Sequence, residues 1–148
     1  MKTFIVLTLF ISSLAQAVVP ETARNLTGSY TAFGSCAFEA ATVKVEREND
    51  MDYLVVRLSN KSTETYRSRS INLDNLWTKV RTTRGMQRIV TMDRIREGKM
   101  IAEEKTCLPG WVNCSDWKTA LEASLSDDNT MEVTLGEETC TMVRVQNG

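Results

Sequence analysis

The sequence predicts an all-β protein, most simply an antiparallel meander barrel of about 8–10 strands, with a β-sandwich as the alternative architecture. Short segments in which apolar and polar residues alternate recur along the chain, and turn residues separate them. No segment has the apolar spacing of a long helix. Four cysteines are placed where they can cross-link such strands into one domain.

The first 17 residues have the three parts of a secretory signal peptide. Lys2 supplies the positive charge, residues 4–14 form a short apolar run, and Ala15-Gln16-Ala17 fits a cleavage site. The apolar run is shorter than the roughly 20 residues that span a bilayer. We therefore expect a secreted or periplasmic protein without a transmembrane segment.

Cleavage after Ala17 leaves residues 18–148, a length that suits one ordinary domain. Residues 18–27 are expected to form an extended arm, because Pro20 disfavours a central strand. The remaining residues, 28–148, are expected to form a single barrel-like domain.

Ten segments of that domain fit short strands. Alternation is clearest on either side of the turn Asn49-Asp50. Before it, Val43 lies between Thr42 and Lys44, and after it Leu54, Val56 and Leu58 alternate with Tyr53, Val55 and Arg57. Residues 88–96 also fit a helix, with apolar residues spaced by three, but their β-branched residues favour a strand. The predicted strands are 28–33, 41–46, 53–58, 66–73, 77–82, 86–95, 100–106, 117–125, 131–135 and 139–145.

Export to an oxidising compartment predicts that the four cysteines form two disulfides. We favour Cys107–Cys114, which closes a tight loop, and Cys36–Cys140, which ties an early strand to the last one. A longer closed loop removes more entropy from the unfolded chain, so the second bridge should stabilise the fold more.

The first predicted strand opens with Gly28-Ser29-Tyr30, and a cysteine lies near each end of the domain. This layout resembles lipocalin-like (calycin-type) barrels, which typically open with Gly-x-Trp; here a tyrosine stands in place of the tryptophan. The resemblance implies a barrel that holds a small apolar or amphipathic ligand. In such a barrel the same inward residues can instead fill the core. The candidate cavity residues are Val43, Val45, Leu54, Val56, Leu121, Met131 and Val133.

The loop from Cys107 to Cys114 is a candidate interaction site through Pro109, Gly110 and Trp111. A tryptophan in a rigid loop can anchor a partner, because little ordering entropy is lost when it binds. Alternatively, Trp111 folds back to cap one end of the barrel, with Trp117 inside.

Positive charge is concentrated in residues 67–96, where eight basic residues are opposed only by Asp74 and Asp93. These residues could form a face for lipid head groups, a polysaccharide or an acidic protein. Alternatively, they are solvated faces of strands. Nucleic acid is not expected, since the chain has a net charge of −1. The candidate basic face comprises Arg67, Arg69, Arg81 and Arg88.

The absence of histidine excludes Ser-His-Asp and Cys-His catalysis and any metal held by imidazole. Paired carboxylates could catalyse glycoside hydrolysis, but Glu103 and Glu104 are adjacent and should point to opposite faces of a strand. We expect no catalysis, no cofactor and no metal.

Asn25 and Asn60 begin sequons, so they are glycan sites if the chain passes through a eukaryotic secretory pathway. A third match, at Asn113, lies against a predicted disulfide and is given less weight. In a bacterial periplasm all three would be chance matches.

Two function classes follow. The first is an exported, monomeric binding module that holds a small apolar or amphipathic ligand in its barrel. The alternative is an inhibitor-like domain that binds a protein or surface through the loop of Trp111 or through the basic face. An open cavity would favour the first class, and a filled core would favour the second.

Overall fold

Ten antiparallel strands form one continuous sheet that curls into a nearly closed barrel, which confirms the predicted all-β meander. The computed structural model describes residues 19–60 and 65–145, and only the backbone of residues 65–68. The predicted signal peptide lies outside these ranges. The elements are α1 (Glu21–Leu26), β1 (Gly28–Phe33), β2 (Ala40–Glu48), β3 (Met51–Ser59), β4 (Thr65–Asn72), β5 (Trp77–Arg84), β6 (Gln87–Arg96), β7 (Lys99–Cys107), β8 (Lys118–Asp127), β9 (Thr130–Leu135) and β10 (Glu138–Arg144).

The sheet runs in the order β4-β3-β2-β1-β10-β9-β8-β7-β6-β5. Consecutive strands therefore pair throughout, except β4 with β5. The first and last strands of the sheet in chain order are neighbours, since β1 pairs with β10 with Tyr30 opposite Arg144. Residues 88–96 lie in a strand, as their β-branched residues predicted.

The inner face of the barrel is packed with apolar side chains. The largest fully buried strand residues include Tyr30, Leu54, Met131 and Met142, each at most 1% exposed. Since successive strand residues alternate between faces, these inward positions recur every second residue. The buried cluster spans β1–β4 and β6–β10 and also takes in residues of α1.

The segment predicted as an extended arm contains the helix α1 instead. Pro20 lies at its N-cap with φ −53° and ψ 141°, where a proline starts a helix without losing a hydrogen bond. Ala23 and Leu26, three residues apart, share the buried side of the helix. The arm prediction was wrong because it treated Pro20 only as a residue that interrupts strands.

Among the described residues, β4 and β5 are not paired by a backbone ladder. Contacts that involve side chains join them instead. The backbone N–H of Asn72 donates to Thr78 Oγ1 at 2.8 Å. Arg69 on β4 and Asp93 on β6 form an ion pair at 3.7 Å, and both side chains are nearly buried. We call this junction the seam.

Both predicted disulfides are present, Cys36–Cys140 and Cys107–Cys114. The first ties the segment after β1 to β10, and the second closes the loop between β7 and β8. Within the described ranges, no helix is long and apolar enough to cross a membrane.

Candidate functional site

The outer surface of β5, β6 and β7 carries a cluster of cations beside two tryptophans. Alternation along each strand directs these side chains away from the barrel interior. Arg81 lies opposite Val90, which lies opposite Lys105, so one row crosses all three strands. We call this cluster the cationic–aromatic face. It comprises Lys79, Arg81, Arg88, Lys105, Trp111 and Trp117.

The disulfide loop supplies Trp111 to this face. The loop is closed by the Cys107–Cys114 bridge and by backbone hydrogen bonds, Leu108 N–H to Val112 O at 3.0 Å and Trp111 N–H to Leu108 O at 3.1 Å. Gly110 has φ +84°, which glycine adopts at little cost, and Trp111 itself has φ +63°. The loop therefore holds its tryptophan in a fixed position.

Each tryptophan ring of the face contacts one cation. Arg81 Cζ lies 5.4 Å from the centroid of the Trp111 ring, and Lys105 Nζ lies 4.8 Å from that of Trp117. Such contacts contribute about 0.5–1 kcal/mol each at exposed sites. Val90, between the two cations, is only 3% exposed although it lies on the outer face. Trp111 and Cys114 border a pocket of about 80 Å³ beside it.

The charges of this face differ from those beside it in their partners. Next to it, Arg94 pairs with Glu103 at 2.9 Å and Lys99 pairs with Glu122 at 2.7 Å. In the described part of the chain, the four cations of the face form no ion pair with a carboxylate. Arg88 instead donates to the backbone carbonyl of Gly85 at 3.1 Å. The face therefore presents net positive charge on a protein whose net charge is −1.

An apolar groove continues this face toward the start of β5. Its volume is about 520 Å³, and its lining includes Leu76, Trp77, Lys79, Met92 and Arg94. Trp77 is 48% exposed. Lys79 borders both this groove and the pocket beneath Trp111, so the two features form one surface.

The disulfide loop lies at the end of the face opposite the groove, and it also carries exposed apolar side chains. Leu108 and Val112 are each 55% exposed. Pro109 and Gly110 are exposed as well. Trp111, by contrast, is folded back, as one alternative predicted. It covers the outer side of the sheet rather than the end of the barrel, and Trp117 lies outside the barrel with it.

The candidate cavity residues lie on the inner face, as alternation predicted. Six of them, Val43, Leu54, Val56, Leu121, Met131 and Val133, are at most 3% exposed and belong to one packed cluster. Val45 is 36% exposed. The six buried residues are brought together in that cluster, whereas Val45 is not part of it, and none of the seven lines the outer groove.

The candidate basic residues are divided between the two sides of the sheet. Arg81 and Arg88 share the outer face. Arg69 lies inside, in register with Val56, and pairs with Asp93. The register also places Arg67 opposite Leu58, but its side chain lies outside the described residues. Sequence reasoning missed Lys79 and Lys105 as members of the face, although alternation along β5 and β7 contained the signal. It also missed Trp117, whose outward position alternation does not predict.

The other candidate residues are dispersed. Asn25 is exposed on α1, and Asn60 follows β3. Glu103 and Glu104 occupy alternate positions of β7, where Glu103 pairs with Arg94. The carboxylates of Glu103 and Glu104 therefore lie on opposite faces of β7.

The fold and this site define a nearly closed ten-stranded antiparallel barrel with a cationic–aromatic outer face and two disulfides. No family model, no curated protein and no solved structure matches the chain.

Proposed function

We propose that this protein is a non-catalytic interaction module of the secreted or periplasmic space, which binds an acidic segment of another protein. The observation that carries the proposal is the cationic–aromatic face. Its cations lack carboxylate partners in the described part of the chain, and a disulfide fixes Trp111 beside Arg81. Rigid aromatic and arginine side chains are typical of binding hot spots.

A protein partner is favoured over other anions by the apolar surface next to the charges. The groove beside Trp77 and Met92 has room for an apolar side chain, and Leu108 adds exposed apolar area at the loop. A polysaccharide or a phosphate backbone has charge without such side chains. A protein segment that carries both acidic and apolar residues matches both parts of the surface.

The packing of the barrel interior supports this proposal over the ligand-binding hypothesis. The apolar positions that would line a ligand cavity are occupied by one another's side chains. Binding of a small apolar ligand inside the barrel stays a prediction, which native mass spectrometry of the protein from its source would test by detecting extra non-covalent mass.

The test is titration of the oxidised protein with a labelled peptide of about eight residues that alternates glutamate and valine. We expect binding that weakens as salt is raised, because both sets of charges are exposed to screening. Arg81→Glu combined with Lys79→Glu should weaken binding at least about tenfold, since both substitutions place like charges against the peptide. Trp111→Ala should also weaken it.

The matched control is Arg47→Glu, which makes the same kind of charge change on β2, away from β5–β7 in the sheet order. This variant should bind like the unaltered protein, and a lysine–valine peptide should not bind. The proposal is overturned if the doubly substituted protein binds the acidic peptide normally. It is also overturned if heparin or phosphatidylserine vesicles bind and the peptide does not.

A further inference from the structure

Within the described part of the chain, one edge of strand β5 has no strand paired with it. Its other edge pairs with β6 along its whole length, from Trp77 opposite Arg94 to Arg84 opposite Gln87. On the seam side, β5 is held near its start by the bond from Asn72 to Thr78. Beyond this point residues 79–84 are all exposed, and no backbone partner is described for their free edge.

The turn between β5 and β6 determines which backbone groups lie on that edge. Gly85, with φ +60°, occupies the first central position of a two-residue turn, as in type II′ hairpins. The flanking pair Arg84 and Gln87 is then hydrogen-bonded, and bonded pairs alternate along the ladder. Thr82 and Val80 therefore bond to β6, whereas Lys79, Arg81 and Thr83 direct their N–H and C=O groups away from it.

The residues with free backbone groups also carry charge on the cationic–aromatic face. Lys79 and Arg81 point their side chains outward while their amides point to the unpaired edge. An extended peptide that pairs with this edge would place every second side chain beside them. Its intervening side chains would lie on the side of Val80, which is 47% exposed.

We propose that the acidic partner binds by strand addition, pairing with the free edge of β5 at residues 79–83. The bound segment is extended, with acidic residues outward beside Lys79 and Arg81 and apolar residues inward beside Val80. Backbone hydrogen bonds supply affinity in this mode, and the alternate side chains supply specificity. This inference rests on the proposed function and specifies how the partner is held.

The same charges disfavour pairing between the β5 edges of two copies of the protein. Natural proteins place lysine and other charged residues on edge strands to prevent edge-to-edge pairing. Strand β5 carries Lys79, Arg81 and Arg84 and no acidic residue, so two β5 edges repel each other. An acidic strand reverses that repulsion, and the edge therefore discriminates between a second copy and an acidic partner.

Backbone methylation of the glutamate–valine peptide tests strand addition. One peptide carries N-methyl groups on its glutamates and a second carries them on its valines, so both keep every side chain. In an antiparallel pair with β5, the glutamates lie opposite Arg81 and use their N–H groups. We expect methylated glutamates to weaken binding about tenfold or more, and methylated valines to change it little. A parallel strand would reverse the two outcomes.

Hydrogen exchange of the protein provides an independent readout. In the free protein, the amides of Lys79, Arg81 and Thr83 should exchange rapidly, while those of Val80 and Thr82 are protected. Adding the peptide should slow exchange at the first three positions. Equal binding of both methylated peptides, or binding without this protection, would overturn strand addition while leaving acidic-partner binding intact. If the unmodified peptide itself does not bind, the proposed function fails with it.

Discussion

Tyr30 and Arg144 fasten the helix α1 to the barrel through one compact set of contacts. The Tyr30 hydroxyl donates to the carbonyl of Leu26 at 2.9 Å and accepts from Arg144 Nη2 at 2.8 Å. The guanidinium also donates to the carbonyls of Asn25 and Thr27 and lies 5.1 Å from the tyrosine ring centroid. One arginine thus satisfies carbonyls at the end of a short helix that has few internal hydrogen bonds.

Burial raises the pKa of Tyr30, and the nearby Arg144 charge only partly opposes this shift. The folded protein therefore keeps the Tyr30 proton at a pH where the unfolded chain releases it. The stability contributed by the neutral tyrosine is complete below its usual pKa near 10 and is lost as pH rises through the folded value. We expect the free energy of unfolding to fall above about pH 10 more steeply in the unaltered protein than in Tyr30→Phe.

The check is urea denaturation of both proteins across neutral and alkaline pH. Comparing the two removes the contributions of lysines and of the other tyrosines, which both proteins share. Their stability difference should be constant near neutral pH and should shrink above about pH 10. A difference that stays constant into that alkaline range would contradict the assigned effect of burial.

Single residues also show which features of the site the sequence predicts and which it does not. Alternation along β4 places Arg69 on the same face as Ile71, which lies fully inside the barrel. Grouping Arg69 with Arg81 by proximity in the chain ignored that face, and the two arginines lie on opposite sides of the sheet. A local pattern specifies the face of a residue, but only the register across strands specifies its neighbours.

At the scale of elements, a bulge in β8 changes the face that its first residues occupy. Leu121 lies opposite Ala102, but Thr119 lies opposite Glu103, so β8 has one extra residue there. Strict alternation over residues 117–125 would place Thr119 and Trp117 on the face of Leu121. The extra residue moves them outward, and Trp117 joins the outer surface beside Lys105. Alternation alone contains no sign of this insertion, because both faces around it carry residues of mixed polarity.

The two disulfides should differ in what they contribute. Cys36 and Cys140 are 104 residues apart, whereas Cys107 and Cys114 are 7 apart. Loop-closure entropy assigns about 4.7 kcal/mol to a loop near 100 residues and less than about 3 kcal/mol to the short one. We expect the Cys36→Ala, Cys140→Ala variant to lose more stability in urea than the Cys107→Ala, Cys114→Ala variant.

Peptide binding should show the reverse order. Loss of the short bridge frees the loop that holds Trp111 beside Arg81, so it should weaken binding to the glutamate–valine peptide although it costs less stability. The variant that lacks Cys36 and Cys140 should still bind under conditions where it is folded. If both variants bind like the oxidised protein, the short disulfide has no role in the site.

Around the circumference of the barrel, the polarity of the inward side chains is not uniform. The strands β1–β3 and β8–β10 pack apolar residues inward, and the predicted strand count and meander order hold across them. The seam between β4 and β5 is different, because Arg69 and Asp93 meet inside it. The sequence predicted a barrel from its turns and alternation, but not this seam, since a missing ladder between two consecutive strands leaves no local signal.

Burial, rather than distance, should determine how strongly the seam's ion pair is coupled. Arg69 and Asp93 are 3.7 Å apart with side chains 12% and 11% exposed, whereas Lys99 and Glu122 are 2.7 Å apart with side chains 49% and 36% exposed. Screening by water weakens the exposed pair, and the buried pair is screened much less. A double-mutant cycle with Arg69→Met and Asp93→Asn should give a coupling free energy of about 1 kcal/mol or more. The same cycle with Lys99→Met and Glu122→Gln, measured by urea denaturation as the control, should give a smaller coupling that falls further in high salt. Equal couplings, or a larger one for the exposed pair, would mean that the barrel does not depend on this ion pair to hold β4 beside β5 and β6.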